Sequence, residues 1–417
     1  MMVMGNLKLA LFLAFKSIIK GNRWALVLII LVMSLSFANL LLTPSILSGV
    51  TNTLNQQQID TLYGNIVIDP PPTEHYLSRV SLIEKKIEQI PGITGVSTHL
   101  NSSAFIECQW KEKDSPSDKG ESGTWPVIGI DPIREVNVTT IHEHIIQGNY
   151  LDSNDRDEIV LGVEIAGGNR AQTAEFLTLQ GVKVGDEVRL TYPNGVQREY
   201  RVKGIFQAKE MTQADRLAFV TIQEMASVLG RQVYNDRASQ ILVRTGQGVT
   251  ENQIIQETSS LGIDAEVRSW SEYGGAVGGI VSSFDVIASL IGTIGLVVAG
   301  IVMFIVIYIN VINKRRQIGI LRAIGIKRDV IIGSYLTQAI FYAILGIIFG
   351  GLIFGYGIQP YFKLHPLDLP LGNVSLAVRA LTISSAVIGL LVAAVLAGLI
   401  PVISITRQRI IQSIWGN

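Results

Sequence analysis

Four long apolar runs set the pattern of the chain: Trp24–Leu42, Phe284–Asn310, Val330–Tyr356 and Ala380–Ser404. Each is about as long as a helix must be to cross a bilayer core of about 30 Å. No ionisable residue lies in the central part of any of them; Asn39 and Gln338 are the most polar side chains there, and Asp285 sits at an edge. With their flanks, the predicted spans are 24–44, 284–312, 330–356 and 380–405, with Pro44 marking the exit of the first. A shorter apolar stretch, Leu7–Ile19, precedes them. Lys8, Lys16 and Lys20 fall near one side of its helix, which predicts an amphipathic interface helix over 1–23 rather than a cleaved leader.

The large insert at 45–283 has a different pattern. Gly64–Asp69 reads as a strand. Val80, Leu82, Ile83 and Ile87 repeat at helical spacing within Ser78–Gln89, and Pro91-Gly92 stops that helix before a strand at Gly95–Ile106. A second β-α-β pattern follows late in the insert, with strands at Gln240–Val243 and Ile263–Val267 around a helix at Glu251–Ser259. Two such units, at 60–110 and 239–270, predict a subdomain assembled from both ends of the insert. The block between them, 124–238, is richer in strands: Val127–Ile130, Glu158–Val163, Glu187–Tyr192, Val196–Phe206 and Phe219–Ile222, with a helix at Gln223–Leu229. Pro193-Asn194-Gly195 marks a hairpin. Residues 111–123 are charged and rich in Gly, Ser and Pro, the composition of a surface loop. Residues 274–283 are small and apolar, and fit either a helix running on from the second span or a hinge.

Charge orients the pattern. Lys8, Lys16, Lys20 and Arg23 precede the first span, Lys314–Arg328 separates the second from the third, and Arg407 and Arg409 follow the fourth, in a tail at 406–417. The loop at 357–379 holds only Lys363 and Arg379 as basic residues. The positive-inside rule then places both termini and the 313–329 connector in the cytoplasm, and 45–283 and 357–379 outside. The expected architecture is a membrane protein of four transmembrane α-helices, with a large α+β extracytoplasmic domain inserted between helices 1 and 2.

Composition agrees. Of 417 residues, 48% are hydrophobic and 16% charged, and the mean hydropathy is +0.37, too apolar for an ordinary soluble protein. Lys+Arg and Asp+Glu number 34 each, so charge gives no reason to expect nucleic acid as a partner. Cys108 is the single cysteine and reads as a small buried hydrophobe. Spans without central charges argue against an ion-coupled transporter. No GxxxxGK[ST] is present, His142-Glu143-His144 lacks the HExxH spacing, and His75, His99 and His365 stand alone as surface-loop residues. No catalytic or metal-binding residue is assigned, and the chain itself is read as no enzyme.

Two features remain. Small residues recur at four-residue spacing in Ser385, Gly389, Ala393 and Ala397, and in Gly346 and Gly350, the pattern that lets helix backbones approach closely. The connector reads KRRQIGILRAIGIKR over Lys314–Arg328. Arg315 and Arg322 share a helix face, Ile318, Leu321, Ala323 and Ile324 lie largely elsewhere, Gly319 and Gly325 interrupt the helix, and Gly325-Ile326-Lys327 reads as its stop. Such a helix is either an inert turn on the lipid surface or a piece that docks into a groove of a cytoplasmic partner.

The run Arg315-Arg316-Gln317-Ile318-Gly319-Ile320-Leu321-Arg322-Ala323-Ile324-Gly325 resembles the R-[RE]-x-I-G-[IV]-L-R-A-[LI]-G signature of FtsX-like ABC transporter permeases. Gly185-Asp186-Glu187-Val188 and Val202-Lys203-Gly204-Ile205-Phe206 resemble the G-D-x-V…V-x-G-I-F pattern of the MacB-like periplasmic core domain in macrolide-exporter-type permeases. Ser48-Gly49 and Gly64–Ile68 look closest to the lipoprotein-releasing branch. Gln317 stands where many members carry Glu. The resemblance implies a multi-pass plasma-membrane permease that pairs with a second permease, identical or related, and with a dimer of ABC ATPase subunits. ATP and Mg would sit on that partner, and no cofactor on this chain. It implies that the connector is the coupling helix, with Arg315, Arg316, Ile318, Gly319, Ile320, Leu321, Arg322, Ala323, Ile324 and Gly325 at the ATPase contact, and that hydrolysis drives mechanotransmission to the outer domain. The work done would be efflux or extraction of an amphipathic or lipid-like substrate, or lipoprotein release, at the outer leaflet. Membrane lipid and an extracytoplasmic lipoprotein, adaptor or hydrolase are the further partners implied. The alternative is a regulatory scaffold whose outer domain controls a cell-wall hydrolase or senses a peptide.

Overall fold

The computed structural model describes residues 2–19, 23–112, 122–167, 178–208, 213–230, 234–246, 248–369 and 372–407. Most of the charged loop, 113–121, lies outside the described residues, as do Lys20, Gly21, Asn22 and Arg409. The chain divides into two compact units. One comprises Met1–Asn52, Ile280–Leu369 and Asn373–Asn417; the other comprises Thr53–Gly279 with Pro370–Gly372.

The first unit is helical. An N-terminal helix, Met2–Ile19, precedes a first long helix at Arg23–Gln58, a second at Gly275–Asn313, a third at Arg328–Leu352 and a fourth at Ala380–Arg407. These four are long and apolar enough to cross a membrane. The first runs through Pro44 rather than ending there. A proline removes one backbone donor, a loss that a packed neighbourhood tolerates. Beyond Pro44 the carbonyl of Ser45 accepts from the Ala377 amide at 3.1 Å, and Gly49 leaves room for the Ser375 carbonyl, which a Cβ there would meet at 2.1 Å. Residues 275–283 resolve as helix, since the second long helix already begins at Gly275. The third helix continues through a π-helical stretch, Ile353–Ile358, and a further turn at Gln359–Leu364. The segment expected as loop from 357 is therefore helical to Leu364, and short strands follow at Leu367–Leu369 and Gly372–Val374. Met33, Phe37, Met303, Ile307, Tyr335, Tyr342, Leu390 and Ala394 form the core of this unit, drawn from all four long helices.

The second unit is α+β and lies in sequence between the first and second long helices. Its strands are β1 (Ile66–Asp69), β2 (Leu77–Ser78), β3 (Ile93–Cys108), β4 (Ser122–Ile130), β5 (Ile145–Gly148), β6 (Glu158–Gly162), β7 (Glu187–Thr191), β8 (Gln197–Phe206), β9 (Ala218–Thr221), β10 (Arg237–Ala238), β11 (Gln240–Thr245) and β12 (Glu266–Ser269). Ten of them form one sheet in the order β12-β1-β11-β3-β4-β9-β6-β8-β5, with β7 joining β3 to β8.

Two halves share the long strand β3. In the first, the two β-α-β units interlock. β11 is antiparallel to both β1 and β3, with Val243 opposite Ile66 on one side and Val96 on the other, and β1 separates β11 from β12. Neither unit pairs its own strands; each receives a strand of the other. Helices Val80–Ile87 and Glu251–Ser260 bury Ile83, Ile87 and Ile254 against Ile66, Ile68 and Ile241. The last strand is shifted from 263–267 to 266–269, the register that sets Ser269 opposite Ile66.

In the second half the pairings β3-β4, β4-β9, β9-β6, β6-β8, β8-β7 and β7-β3 return to their start. Six strands thus close into a barrel, which leaves no free edges within the ring. Leu100, Ile106, Val127, Leu161, Leu190 and Val202 belong to its core. The β7–β8 hairpin turns at Asn194-Gly195, with Gly195 at φ +81° and the Asn194 Oδ1 accepting from the Val196 amide at 3.1 Å. Cys108 is buried in the same core.

Candidate functional site

The connector follows the second long helix at once. That helix ends at Asn313, the Lys314 amide bonds back to the carbonyls of Asn310 and Val311, and a separate helix covers Arg315–Ala323. Its end is closed by bonds from Ile324 to the Ile320 carbonyl, from Gly325 to Arg322 and from Ile326 to Leu321. Gly325, at φ +96°, supplies the left-handed residue that terminates a helix in this way. Lys327 is extended, and the third long helix begins at Arg328.

The connector has two unlike sides. Ile318 is 3% exposed and Gly319 is buried beside it. Gly319 does not interrupt the helix, contrary to the expectation from sequence; it lies within it. Arg315, Leu321 and Arg322 are half-buried. Arg316, Ile320, Ala323, Ile324 and Gly325 are exposed; Ile320 is 48% and Ile324 70% accessible. The positions 316, 320, 323 and 324 fall on one helix face. The isoleucines therefore divide, one packed inward and two presented outward.

Polar contacts tie the connector down at both ends. The Lys314 ammonium donates to the Ser17 hydroxyl at 2.6 Å, and that hydroxyl donates to the Gln338 Oε1 at 3.3 Å. The N-terminal helix, the connector and the third long helix meet in this relay. Burial lowers the pKa of Lys314. At the other end the Arg328 guanidinium donates to the Thr406 hydroxyl at 3.1 Å and to the Ile403 carbonyl at 3.5 Å, on the fourth helix. Sequence reading singled out Gln338 as a polar residue in an apolar span but missed Ser17. Its signal was a hydroxyl beside Lys16, two residues from the end of a largely apolar helix.

The small residues have separate roles. Gly346 and Gly350 face the first helix: added Cβ atoms would meet the Met33 Cβ at 2.5 Å and the Ser34 carbonyl at 2.5 Å. Gly389 faces Leu296 of the second helix, and Ala393 lies beside Gly300. Ala397 is buried. Ser385 is exposed and bonds to the Thr382 carbonyl of its own helix. The four-residue ladder thus begins outside the packed part of the unit and enters it at Gly389. Gly398, which sequence reading passed over, is as tight as Gly389, with Ala339 at 3.0 Å.

Of the isolated histidines, His99 is not on a surface loop. It is 1% exposed in β3, with its Nε2 2.7 Å from the Glu135 Oε2. Ser97 and Thr139 donate to the same carboxylate at 2.5 and 2.7 Å. Burial between β3 and the short helix Pro132–Glu135, invisible in a lone residue, makes this pair part of the fold.

Residues 289–410 match the FtsX-like permease C-terminal family. The chain is 28% identical over 172 residues to a macrolide export ATP-binding/permease protein MacB of Hahella chejuensis, covering 39% of this chain and 25% of the relative. It is 23% identical over 174 residues to MacB 2 of Aeromonas hydrophila, covering 36% of this chain and 26% of that protein. The matched part thus spans about a quarter of the length of these curated relatives. Among solved structures, the periplasmic region of MacB from Actinobacillus actinomycetemcomitans aligns at a TM-score of 0.35 and 15% identity, covering 54% of this chain and 96% of that one. The extracellular domain of the noncanonic ABC-type transporter YknZ from Gram-positive bacteria aligns at 0.34 and 12%, covering 49% and 97%. Residues 289–410 thus carry an FtsX-like permease C-terminal domain, in a chain with four helices long and apolar enough to span a membrane.

Proposed function

We propose that this chain is the permease subunit of an ABC transporter and contributes no ATPase of its own. A separate ATPase dimer seats on the connector, and the chain works as one of two permease subunits. ATP hydrolysis by that dimer moves the connectors, and the long helices carry the motion to the inserted α+β unit on the outer side of the plasma membrane. Both termini lie in the cytoplasm. The work is export or extraction of an amphipathic substrate or lipoprotein at the outer leaflet. Spans without central charges suit this, because such cargo does not need a polar pore.

One observation carries the reading. The connector is held through Ile318 and Lys314 while Ile320 and Ile324 stay exposed on its outer face beside Arg316. An apolar pair flanked by a cation on a short fixed helix is the pattern that docks into a partner's groove. Co-expression with the cell's ABC ATPases, affinity purification of this chain and mass spectrometry of what accompanies it tests the partner. Stimulation of the co-purified ATPase by lipid, drug or lipoprotein supports transport. An ATPase indifferent to all three, on a complex that carries a hydrolase, supports the regulatory scaffold instead.

A further inference from the structure

A cavity of about 320 Å³ opens where the N-terminal helix, the connector and the third long helix converge. Its polar lining includes Lys16, Lys314, Ser17, Gln317 and Gln338, and no aspartate or glutamate is among the lining residues. Among the described residues, neither lysine has a carboxylate within ion-pair distance. Lys314 bonds to the Ser17 hydroxyl, and the Lys16 ammonium lies 5.4 Å from the centre of the Phe12 ring. Two cations thus face one space with no counter-charge from the described residues. A half-buried ammonium without an anion is costly, and the lowered pKa of Lys314 is the trace of that cost.

The surroundings name the class of anion. On the N-terminal helix, Leu13 and Ser17 turn to the cavity, while Phe12, Phe15 and Ile19 are exposed. An exposed apolar stripe beside lysines on one helix is the pattern of a segment lying at the boundary of headgroups and acyl chains. The cavity therefore lies where lipid headgroups reside. We propose that it binds the phosphate of an anionic lipid headgroup, with Lys314 and Lys16 as cationic ligands and the Gln317 and Gln338 amides as further polar contacts. This goes beyond the coupling role and does not require the ATPase. A bound headgroup would tie the N-terminal helix to the root of the connector.

The test uses the purified full chain without an ATPase, so that its failure is distinct from failure of the coupling reading. Native mass spectrometry measures retention of added phosphatidylglycerol, with phosphatidylcholine as the zwitterionic control and inorganic phosphate as the competitor. The expected result is preferential retention of phosphatidylglycerol, weakened about tenfold by Lys314→Gln and by Gln317→Glu, which sets a carboxylate beside the lysines. If Lys314→Gln does not fold, Lys16→Gln decides the matter, because Lys16 is exposed and outside the packed core. Equal retention of both lipids, or retention unchanged in the folded variants, overturns the site. Displacement of the lipid by millimolar inorganic phosphate overturns the lipid as the ligand.

Discussion

Gly346 and Met33 are in direct contact across the third and first long helices: a Cβ on Gly346 would stand 2.5 Å from the Met33 Cβ and 3.2 Å from the Met33 carbonyl carbon. The helices approach this closely because the side chain is missing, and lipid offers no hydrophobic drive to replace the lost contact. Gly346→Val should lower stability by about 1–3 kcal/mol, the usual cost of overpacking. Gly355→Ala, with nothing within 4 Å of its Cβ position, should leave the melting temperature unchanged. Thermal denaturation of the two purified variants in detergent checks the contrast.

The Glu135 carboxylate gives the α+β unit an acid-sensitive point. Burial pushes its pKa up, but the neighbouring His99 and the hydrogen bonds from His99, Ser97 and Thr139 outweigh this, and it titrates below the ordinary glutamate range. A carboxyl whose pKa is lower folded than unfolded contributes fully above the unfolded value, about 4.3, and loses that contribution as pH falls through the folded one. Glu135→Gln should flatten the dependence of stability on pH in that acid window. Glu135→Ala should cost about 1–3 kcal/mol for each buried donor left unsatisfied. Urea unfolding at several pH values, followed by fluorescence of tryptophans that include the buried Trp125, measures both.

The hairpin between β7 and β8 helps close the barrel. Gly195 has φ +81° and open space around its Cβ position, so Gly195→Ala meets backbone strain without a clash. Its expected cost is about 1 kcal/mol. Asn194 accepts from the Val196 amide and donates to the Val228 carbonyl at 2.9 Å, so Asn194→Ala should weaken the turn and its tether to the helix Ile222–Leu229 together. Amide hydrogen exchange over 187–206 reads this directly, as faster exchange confined to β7 and β8.

Local signals in the chain were legible where one residue type decides the geometry. Asn194-Gly195 announced its turn, Gly325 its helix end, and Val80, Ile83 and Ile87 their buried helix face. The assembly of one half of the α+β unit from both ends of the insert was also readable, because the two β-α-β patterns repeat. What escaped depends on partners far apart in sequence. That β7 returns to β3 and closes a barrel is a matter of register, which alternation alone does not specify. His99 seemed isolated because Glu135 lies 36 positions away. Ile318, Ile320 and Ile324 look alike in sequence, and only packing separates the inward residue from the outward two.

That separation gives the most direct test of the coupling role. Ile318→Asp places a charge in the packed side of the connector and should destabilise the helical unit. Ile320→Asp with Ile324→Asp alters only exposed positions and should leave the melting temperature unchanged. The decisive measurement is the amount of ATPase recovered with this double variant, and the hydrolysis rate of the recovered complex. The expected result is a folded permease that retains at least about tenfold less ATPase than the wild type. Full recovery of the ATPase with undiminished, substrate-stimulated hydrolysis would contradict the assignment of the connector as the coupling element.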